Sequence, residues 1–126
     1  MKLITLFESM TGAKVKDCIT NEKLVFIIEE SEMGKAIGKN GANIKKMENL
    51  LRKKIKLVEF SSDAVQFVKN FIYPVDAGVI KEGGVLKIHG KDSSTRAMLI
   101  GRERQNVIHM SDIVKRYFDI SEIKVE

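Results

Sequence analysis

The sequence has few of the residues that build covalent, metal-bound or membrane-embedded structures. It contains one cysteine, two histidines and no tryptophan among 126 residues. A single cysteine cannot form an internal disulfide, and one cysteine with two distant histidines cannot supply a zinc cluster. No run approaches the roughly 18 apolar residues that a membrane-spanning helix needs. We therefore expect no metal, no cofactor and no membrane partner, and we interpret Cys18 as a small buried strand residue.

The start of the chain gives no sign of export. In MKLITLFESMTG, Glu8 lies inside the apolar pattern and no small-residue cleavage site is present. We therefore expect a cytoplasmic protein. A length of 126 residues allows one domain of ordinary size or two very small ones. Two is the upper limit, because a domain much below about 60 residues buries too little surface to be stable alone.

The positive charge of the chain is concentrated in one segment. The net charge is +5, but residues 35–56 hold eight basic residues and a single acid, Glu48, which gives this segment +7. A concentrated basic segment favours a polyanionic partner, because neutralising phosphates releases bound counterions. The alternative is a solvated helix face. Glycines within the same segment favour the polyanion.

A pattern of helices and strands occurs in the first half of the sequence. Apolar residues at helical spacing predict a helix at 3–10. Alternating patterns predict strands at 13–20 and 23–30, joined by a turn at Asn21-Glu22. Helical segments are then predicted on both sides of residue 40, the second with Ile44, Met47, Leu50 and Leu51 on one face, followed by a strand at 54–60.

The same order begins again at Ser62. Asp63 is a candidate helix cap, and Pro74 must end the helix that it starts. Strands at 75–81 and 85–89, two helices and a strand at 121–125 follow. A shift of 63 residues places Ile37-Gly38 on Ile100-Gly101 and Met47 on Met110. The sequence therefore predicts an α+β protein of two tandem domains, 1–61 and 62–126, each with the order helix, strand, strand, helix, helix, strand.

The glycine-rich stretch MGKAIGKNGANIKK, at 33–46, fits only one of the common phosphate-binding patterns. A Walker loop requires Ser or Thr after Gly-Lys, and here Asn40 follows Lys39. The dinucleotide fingerprint requires a different glycine spacing and a parallel βαβ unit. A Gly-x-x-Gly loop between two helices remains, with Gly38 and Gly41 at its ends.

This loop has the chemistry of a site for a nucleic-acid backbone. Glycines allow close approach, and a helix beginning at Gly41 would direct free N–H groups and its positive dipole end toward phosphate. Lysines add charge, and aliphatic residues could line a groove for bases. With aromatic residues at 6%, stacking on aromatic platforms is a poor alternative. The candidate RNA-binding residues of this loop are Lys35, Ala36, Ile37, Gly38, Lys39, Asn40, Gly41, Ile44, Lys45 and Lys46.

The stretch resembles the Ile-Gly-x-x-Gly signature of KH domains, and the predicted order of elements is similar to the type II form of that fold. The whole chain resembles the archaeal NusA-like family of tandem type II KH proteins, through LFESMTGAKVKDCI, the glycine stretch and VEFSSDAVQFVKNF. The resemblance implies a protein that binds single-stranded RNA, and we expect it to be a monomer. It also implies a link to RNA polymerase in transcription termination, antitermination or elongation control.

The second loop departs from this signature, because Arg104 replaces its last glycine. Arginine there could hold helical geometry, but Glu103 adds repulsion toward phosphate. The second repeat therefore either makes further RNA contacts or serves as a scaffold that extends the RNA-binding surface of the first repeat. The candidate residues for such contacts are Gly101, Arg102 and Arg104. Phe67, Phe71 and Tyr73 are candidates for an interface between the repeats or for ordinary burial in the second one.

Three functions fit these observations. The first is a non-catalytic RNA-binding protein of the NusA type, and the second is a ribosomal or ribosome-assembly KH protein. The third is a protein-interaction adaptor of RNA polymerase with weak RNA binding. No paired carboxylates, activated nucleophile or metal cluster appears at workable spacing, so we do not expect an enzyme.

Overall fold

The computed structural model describes residues 2–20 and 23–126. The chain divides into two units, Met1–Ser61 and Ser62–Glu126. Each unit has the predicted order helix, strand, strand, helix, helix, strand, and the prediction of an α+β fold is confirmed. The turn predicted at Asn21-Glu22 lies outside the described residues.

The first unit contains three helices and a three-stranded sheet among its described residues. Its elements are α1 (Lys2–Thr11), β1 (Val15–Ile19), β2 (Leu24–Ile28), α2 (Met33–Ile37), α3 (Ala42–Leu51) and β3 (Ile55–Glu59). A 3₁₀ turn, Lys39–Gly41, joins α2 to α3. Strand β2 lies in the centre, antiparallel to β1 and parallel to β3.

Strand β2 forms the middle of the first core, and all five of its residues are buried. Its sequence, LVFII, is a continuous apolar run, which is typical of a strand that is covered on both faces. The ring of Phe26 stacks on that of Phe7 of α1, with 4.4 Å between centroids. Cys18 is buried in β1 as predicted, and this burial raises the pKa of its thiol.

Helix α3 packs on the same core with a narrower face than the sequence indicated. Met47 is fully buried and Leu51 packs partly against the core. Leu50, which we predicted on the inward face, is 55% exposed, so that prediction is wrong. Leu50 lies about 100° around the helix from Leu51, and in this helix that turn takes it outside the stripe that contains Met47 and Leu51.

The second unit repeats this arrangement. Its elements are α4 (Ala64–Ile72), β4 (Gly78–Glu82), β5 (Val85–His89), α5 (Ser93–Ile100), α6 (Gln105–Val114) and β6 (Glu122–Val125), with a 3₁₀ turn at Arg102–Arg104. Strand β5 lies in the centre, antiparallel to β4 and parallel to β6. The Asp63 cap is confirmed, since its carboxylate accepts the N–H of Val65 at 3.1 Å. Strand β4 starts three residues later than predicted, because the N–H of Val75 still bonds to Ile72 in a turn that follows α4.

The aromatic residues of α4 are buried within the second unit. Phe67 lies 5.9 Å from the ring of Tyr117 and 5.7 Å from that of Phe118, centroid to centroid. Phe71 faces the imidazole of His109 at 6.3 Å. Tyr73, by contrast, is 75% exposed. Ordinary burial therefore accounts for the two phenylalanines but not for the tyrosine.

The described helices are short. None of those in residues 2–20 and 23–126 is long and apolar enough to cross a membrane.

Candidate nucleic-acid interface

The first loop leaves α2 through a backbone conformation that requires glycine. Gly38 has a φ of 75° and a ψ of 172°, a region that is essentially restricted to glycine. A Cβ at this position would also lie 2.8 Å from Cγ of Asn43 and 2.9 Å from its backbone nitrogen. The glycine therefore gives α3 room to begin directly beside the end of α2.

Asn43 holds the two helices together at this point. Its side-chain Nδ2 donates to the backbone carbonyl of Lys35 at 2.8 Å. Asn43 is not among the site residues that the sequence predicted. The only available signal was its place in the repeat, where it coincides with Asn106 after the shift of 63 residues.

The loop exposes fewer free amides than the sequence predicted. The N–H groups of Gly38 and Gly41 donate to Gly34 and Gly38, at 3.0 and 3.1 Å. The helix begins at Ala42 rather than Gly41, and its first amide bonds to the carbonyl of Lys39. In the described part of the chain no acceptor takes the amides of Lys39 and Asn40, and both residues are exposed. The amides of Lys39 and Asn40 therefore remain available to a ligand, whereas those of Gly41 and Ala42 do not.

The predicted lysines lie in the loop and on the two helices that flank it. Lys35, Lys39, Lys45 and Lys46 are all exposed. The side chain of Lys45 passes over Gly41, since its Cε would lie 3.9 Å from a Cβ placed on that glycine. The structure thus brings a cluster of cations to a short length of open backbone.

The predicted apolar residues divide into two groups. Ile37 is 40% exposed, and Ile44 is half-buried beside Gly41, so both can contact a ligand at the loop. Ala36 is fully buried in the core cluster with Phe26 and Met47. Its side chain therefore does not line the exposed surface, and its proposed contact with RNA is corrected to a packing role.

Glu32 anchors α2 just before the loop. Its carboxylate accepts the backbone N–H of Lys14 at 2.9 Å and pairs with Nζ of Lys35 at 3.3 Å. The hydrogen bond from Lys14 and, to a smaller extent, the charge of Lys35 lower the pKa of Glu32 from its ordinary value of 4.5. The negative form of Glu32 therefore stabilises the folded state.

We expect Glu32→Gln to unfold more readily than the unaltered protein at neutral pH. Because the folded-state pKa lies below the unfolded value, this stabilisation is complete above pH 4.5 and disappears as pH falls through the lowered pKa. The gap between the two denaturation midpoints should therefore close on acidification. Glu30→Gln, at an exposed position nearby, is the control and should unfold like the unaltered protein. A gap that is constant with pH would contradict the role of the charge.

The second loop reproduces the backbone of the first. Gly101 has φ and ψ of 78° and 169°, and Glu103 has 55° and 30°, against 54° and 30° for Asn40. Nδ2 of Asn106 donates to the carbonyl of Met98 at 2.9 Å, as Asn43 does to Lys35. A Cβ on Gly101 would lie 2.6 Å from Cγ of Asn106.

The backbone also explains which glycine the second loop could lose. Arg104 has a φ of 63° and a ψ of 17°, in the left-handed region and not in the helical geometry that we expected. A residue with a side chain adopts the left-handed conformation at a cost of about 1–2 kcal/mol. The conformation of Gly101, in contrast, is essentially closed to other residues. The first glycine is therefore kept and the last one can be replaced.

Neither loop lies beside a metal-binding cluster. Within residues 2–20 and 23–126, no group of three His, Cys, Asp or Glu side chains is arranged to hold a metal ion.

Comparisons with known proteins identify the family of the chain and several relatives. A family model described as "KH domain" matches residues 3–74. A protein of Methanococcus vannielii named "Probable transcription termination protein NusA" is 39% identical, and the match covers 97% of this chain and 73% of that protein. The protein of the same name from Methanocaldococcus jannaschii is 33% identical, with 97% and 69% covered. The crystal structure of APE1850 has a TM-score of 0.75 and 29% identity, over 99% of this chain and 96% of that one.

Proposed function

Because the chain belongs to the KH domain family, we propose that it is a non-catalytic protein that binds single-stranded RNA through the loop from Gly38 to Gly41. The observation that carries the proposal is the pair of open amides at Lys39 and Asn40 within a cluster of exposed lysines. KH domains use a Gly-x-x-Gly loop to clamp four backbone nucleotides.

The groups around the loop suit a sugar-phosphate strand. Phosphate oxygens accept from the amides of Lys39 and Asn40, and charge-assisted bonds of this kind are the strong ones. Lys39, Lys45 and Lys46 neutralise the neighbouring phosphates. Ile37 and Ile44 contact the bases. Ile37 is exposed and Ile44 is partly exposed, so both side chains can be reached by a ligand.

We further propose that the protein acts in transcription, with RNA polymerase as a partner, in termination, antitermination or elongation control. The names of its relatives support this role. Crosslinking the protein to cellular RNA and sequencing what is recovered tests it. Enrichment of nascent transcripts is expected, and enrichment of ribosomal RNA precursors would instead favour ribosome assembly.

We also propose that each of the two units is one KH domain, with the boundary between Ser61 and Ser62. The family match over residues 3–74 contains the whole first unit apart from its first two residues. The matching dihedral angles of Gly38 and Gly101 support the same assignment for the second unit.

We expect the double variant Lys39→Asp, Asn40→Asp to fold normally and to bind single-stranded RNA at least about tenfold more weakly. Both positions are exposed, and aspartate tolerates the left-handed conformation of Asn40. A hydrogen bond to a charged group contributes about 1.5–3 kcal/mol, so losing the Lys39 contact alone accounts for this factor. Fluorescence anisotropy with a labelled single-stranded RNA measures the change.

The chain offers a matched control for this variant. Lys69-Asn70 on α4 is the same dipeptide in the second unit, and Lys69 is exposed. Lys69→Asp with Asn70→Asp changes the net charge by the same amount and should leave affinity nearly unaltered. Equal losses in both double variants would point to net charge and not to the loop. Full affinity in the folded loop variant would exclude the site.

Lys45→Ala should reduce the salt dependence of RNA binding. Each phosphate contact on a single strand contributes about 0.7 to the slope of log affinity against log salt concentration. We therefore expect the slope to become shallower by about 0.7. Affinities measured over a series of salt concentrations provide the slopes. Lys81→Ala, on the exposed side of β4, should leave the slope unchanged. If the two variants gave the same slope, Lys45 would not contact phosphate.

A further inference from the structure

The two loops share a backbone but differ in the side chains around it. After the shift of 63 residues, Lys35, Lys45 and Lys46 of the first unit correspond to Met98, Ile108 and His109 of the second. The net charge of the first loop is +4 when it is counted over six positions, 35, 39, 40, 41, 45 and 46. The matching positions, 98, 102, 103, 104, 108 and 109, carry +1 with neutral histidine. The second loop has therefore lost most of the charge that attracts a polyanion.

Two of the three replacing residues are apolar and exposed to solvent. Met98 is 58% exposed and Ile108 is 51% exposed, although both are long aliphatic side chains. We call Met98, Arg102, Arg104 and Ile108 the second loop face. Arg104 and Ile108 also line a shallow groove of about 260 Å³ between α6 and the start of β6, whose other charged residues are Asp112, Lys115 and Glu122.

The charges of this face complement a negatively charged partner with apolar side chains. Among the described residues, neither Arg102 nor Arg104 has a salt-bridge partner. Methionine and arginine are enriched at protein interfaces, where lysine and aspartate are depleted. Lysine is the residue that the first loop uses and the second loop has lost.

We propose that the second loop face binds a segment of a protein partner in which carboxylates flank aliphatic or aromatic side chains. The apolar side chains of the segment cover Met98 and Ile108, and its carboxylates pair with Arg102 and Arg104. Arginine suits this contact because its planar guanidinium can bind a carboxylate through two parallel hydrogen bonds. This proposal does not depend on RNA binding by the first loop.

RNA is the less suitable occupant of this face. Glu103 takes the place of Asn40 at the tip of the loop, where its carboxylate repels phosphate. The side chain of Arg104 occupies space that Gly41 leaves open in the first loop. Both changes disfavour a sugar-phosphate backbone, which would have to pass along the loop tip beside Glu103. A peptide carries few, separated carboxylates and can place them on Arg102 and Arg104 while its apolar residues cover Met98 and Ile108.

The test removes the apolar part of the second loop face without changing its charge. Met98→Gln with Ile108→Gln alters two exposed positions, so the fold should be retained, as circular dichroism can verify. A random peptide library displayed on phage is selected on the full chain and counter-selected on this double variant. We expect discriminating peptides rich in Asp or Glu beside apolar residues, and we expect Arg102→Glu to weaken them at least tenfold. The absence of discriminating peptides, or discriminating peptides without acidic residues, would overturn the proposal.

A second measurement separates protein from RNA. Methyl resonances of Met98 and Ile108 are followed by NMR while the full chain is titrated with single-stranded oligo(U) and, separately, with a selected peptide. We expect the peptide to shift both methyl groups and the RNA to leave them nearly unchanged. Shifts from RNA that match those from the peptide would assign the face to RNA. The Lys39→Asp, Asn40→Asp variant shows independently whether the first loop binds the same RNA.

Discussion

Gly38→Ala is expected to abolish RNA binding by the first loop and to destabilise the first unit. The conformation of Gly38 carries a strain of about 1–3 kcal/mol for any other residue. The new Cβ would also lie 2.8 Å from Cγ of Asn43 and 2.9 Å from its backbone nitrogen, so α3 itself would have to move. Movement of α3 displaces the open amides from the lysines. RNA titration and chemical denaturation measure the two effects.

Gly34→Ala provides the control for this substitution. Gly34 lies in α2, and a Cβ placed on it meets nothing within 4 Å. Alanine is favoured over glycine inside a helix by about 0.5–1 kcal/mol, so this variant should keep its affinity and its stability. The proposed role of Gly38 would be untenable if both variants bound RNA equally well, or if both lost binding to the same extent.

The order of elements could be predicted because its signals are local and occur twice. The Ile-Gly pairs at 37–38 and 100–101, the apolar run of β2 and the Asp63 cap each point to one structure. The inferred likeness to archaeal NusA-like KH proteins is confirmed by the family model and the named relatives. Met47 and Met110, which coincide in the repeat, are both buried.

The details of the loops could not be predicted, because they depend on contacts between neighbouring elements. The sequence does not reveal that Ala36 turns into the core while Ile37, one residue later, remains 40% exposed. It also does not indicate that Asn43 reaches back across the loop to Lys35. The left-handed backbone of Arg104 was missed because arginine ordinarily favours a helix.

The largest loss of stability is expected from Phe26→Ala. Phe26 has no exposed surface, and its ring stacks on Phe7 at 4.4 Å. Removing a buried phenylalanine side chain destabilises a protein by about 3–5 kcal/mol, since apolar contacts are lost and a cavity remains. The free energy of unfolding of a small domain is about 5–15 kcal/mol in total, so the first unit should be partly unfolded on mild heating. Thermal and urea unfolding followed by circular dichroism measure the loss.

The same substitution should weaken RNA binding although Phe26 does not touch the loop. Ala36 of α2 and Met47 of α3 pack in the core cluster that contains Phe26, so this core fixes the helices on both sides of the loop. Affinity should therefore fall at temperatures where the first unit unfolds and recover on cooling. Leu50→Ala removes an apolar side chain that is 55% exposed, and its stability should stay within about 0.5 kcal/mol of the unaltered protein. Equal destabilisation by the two variants would contradict the placement of Phe26 at the centre of the first core.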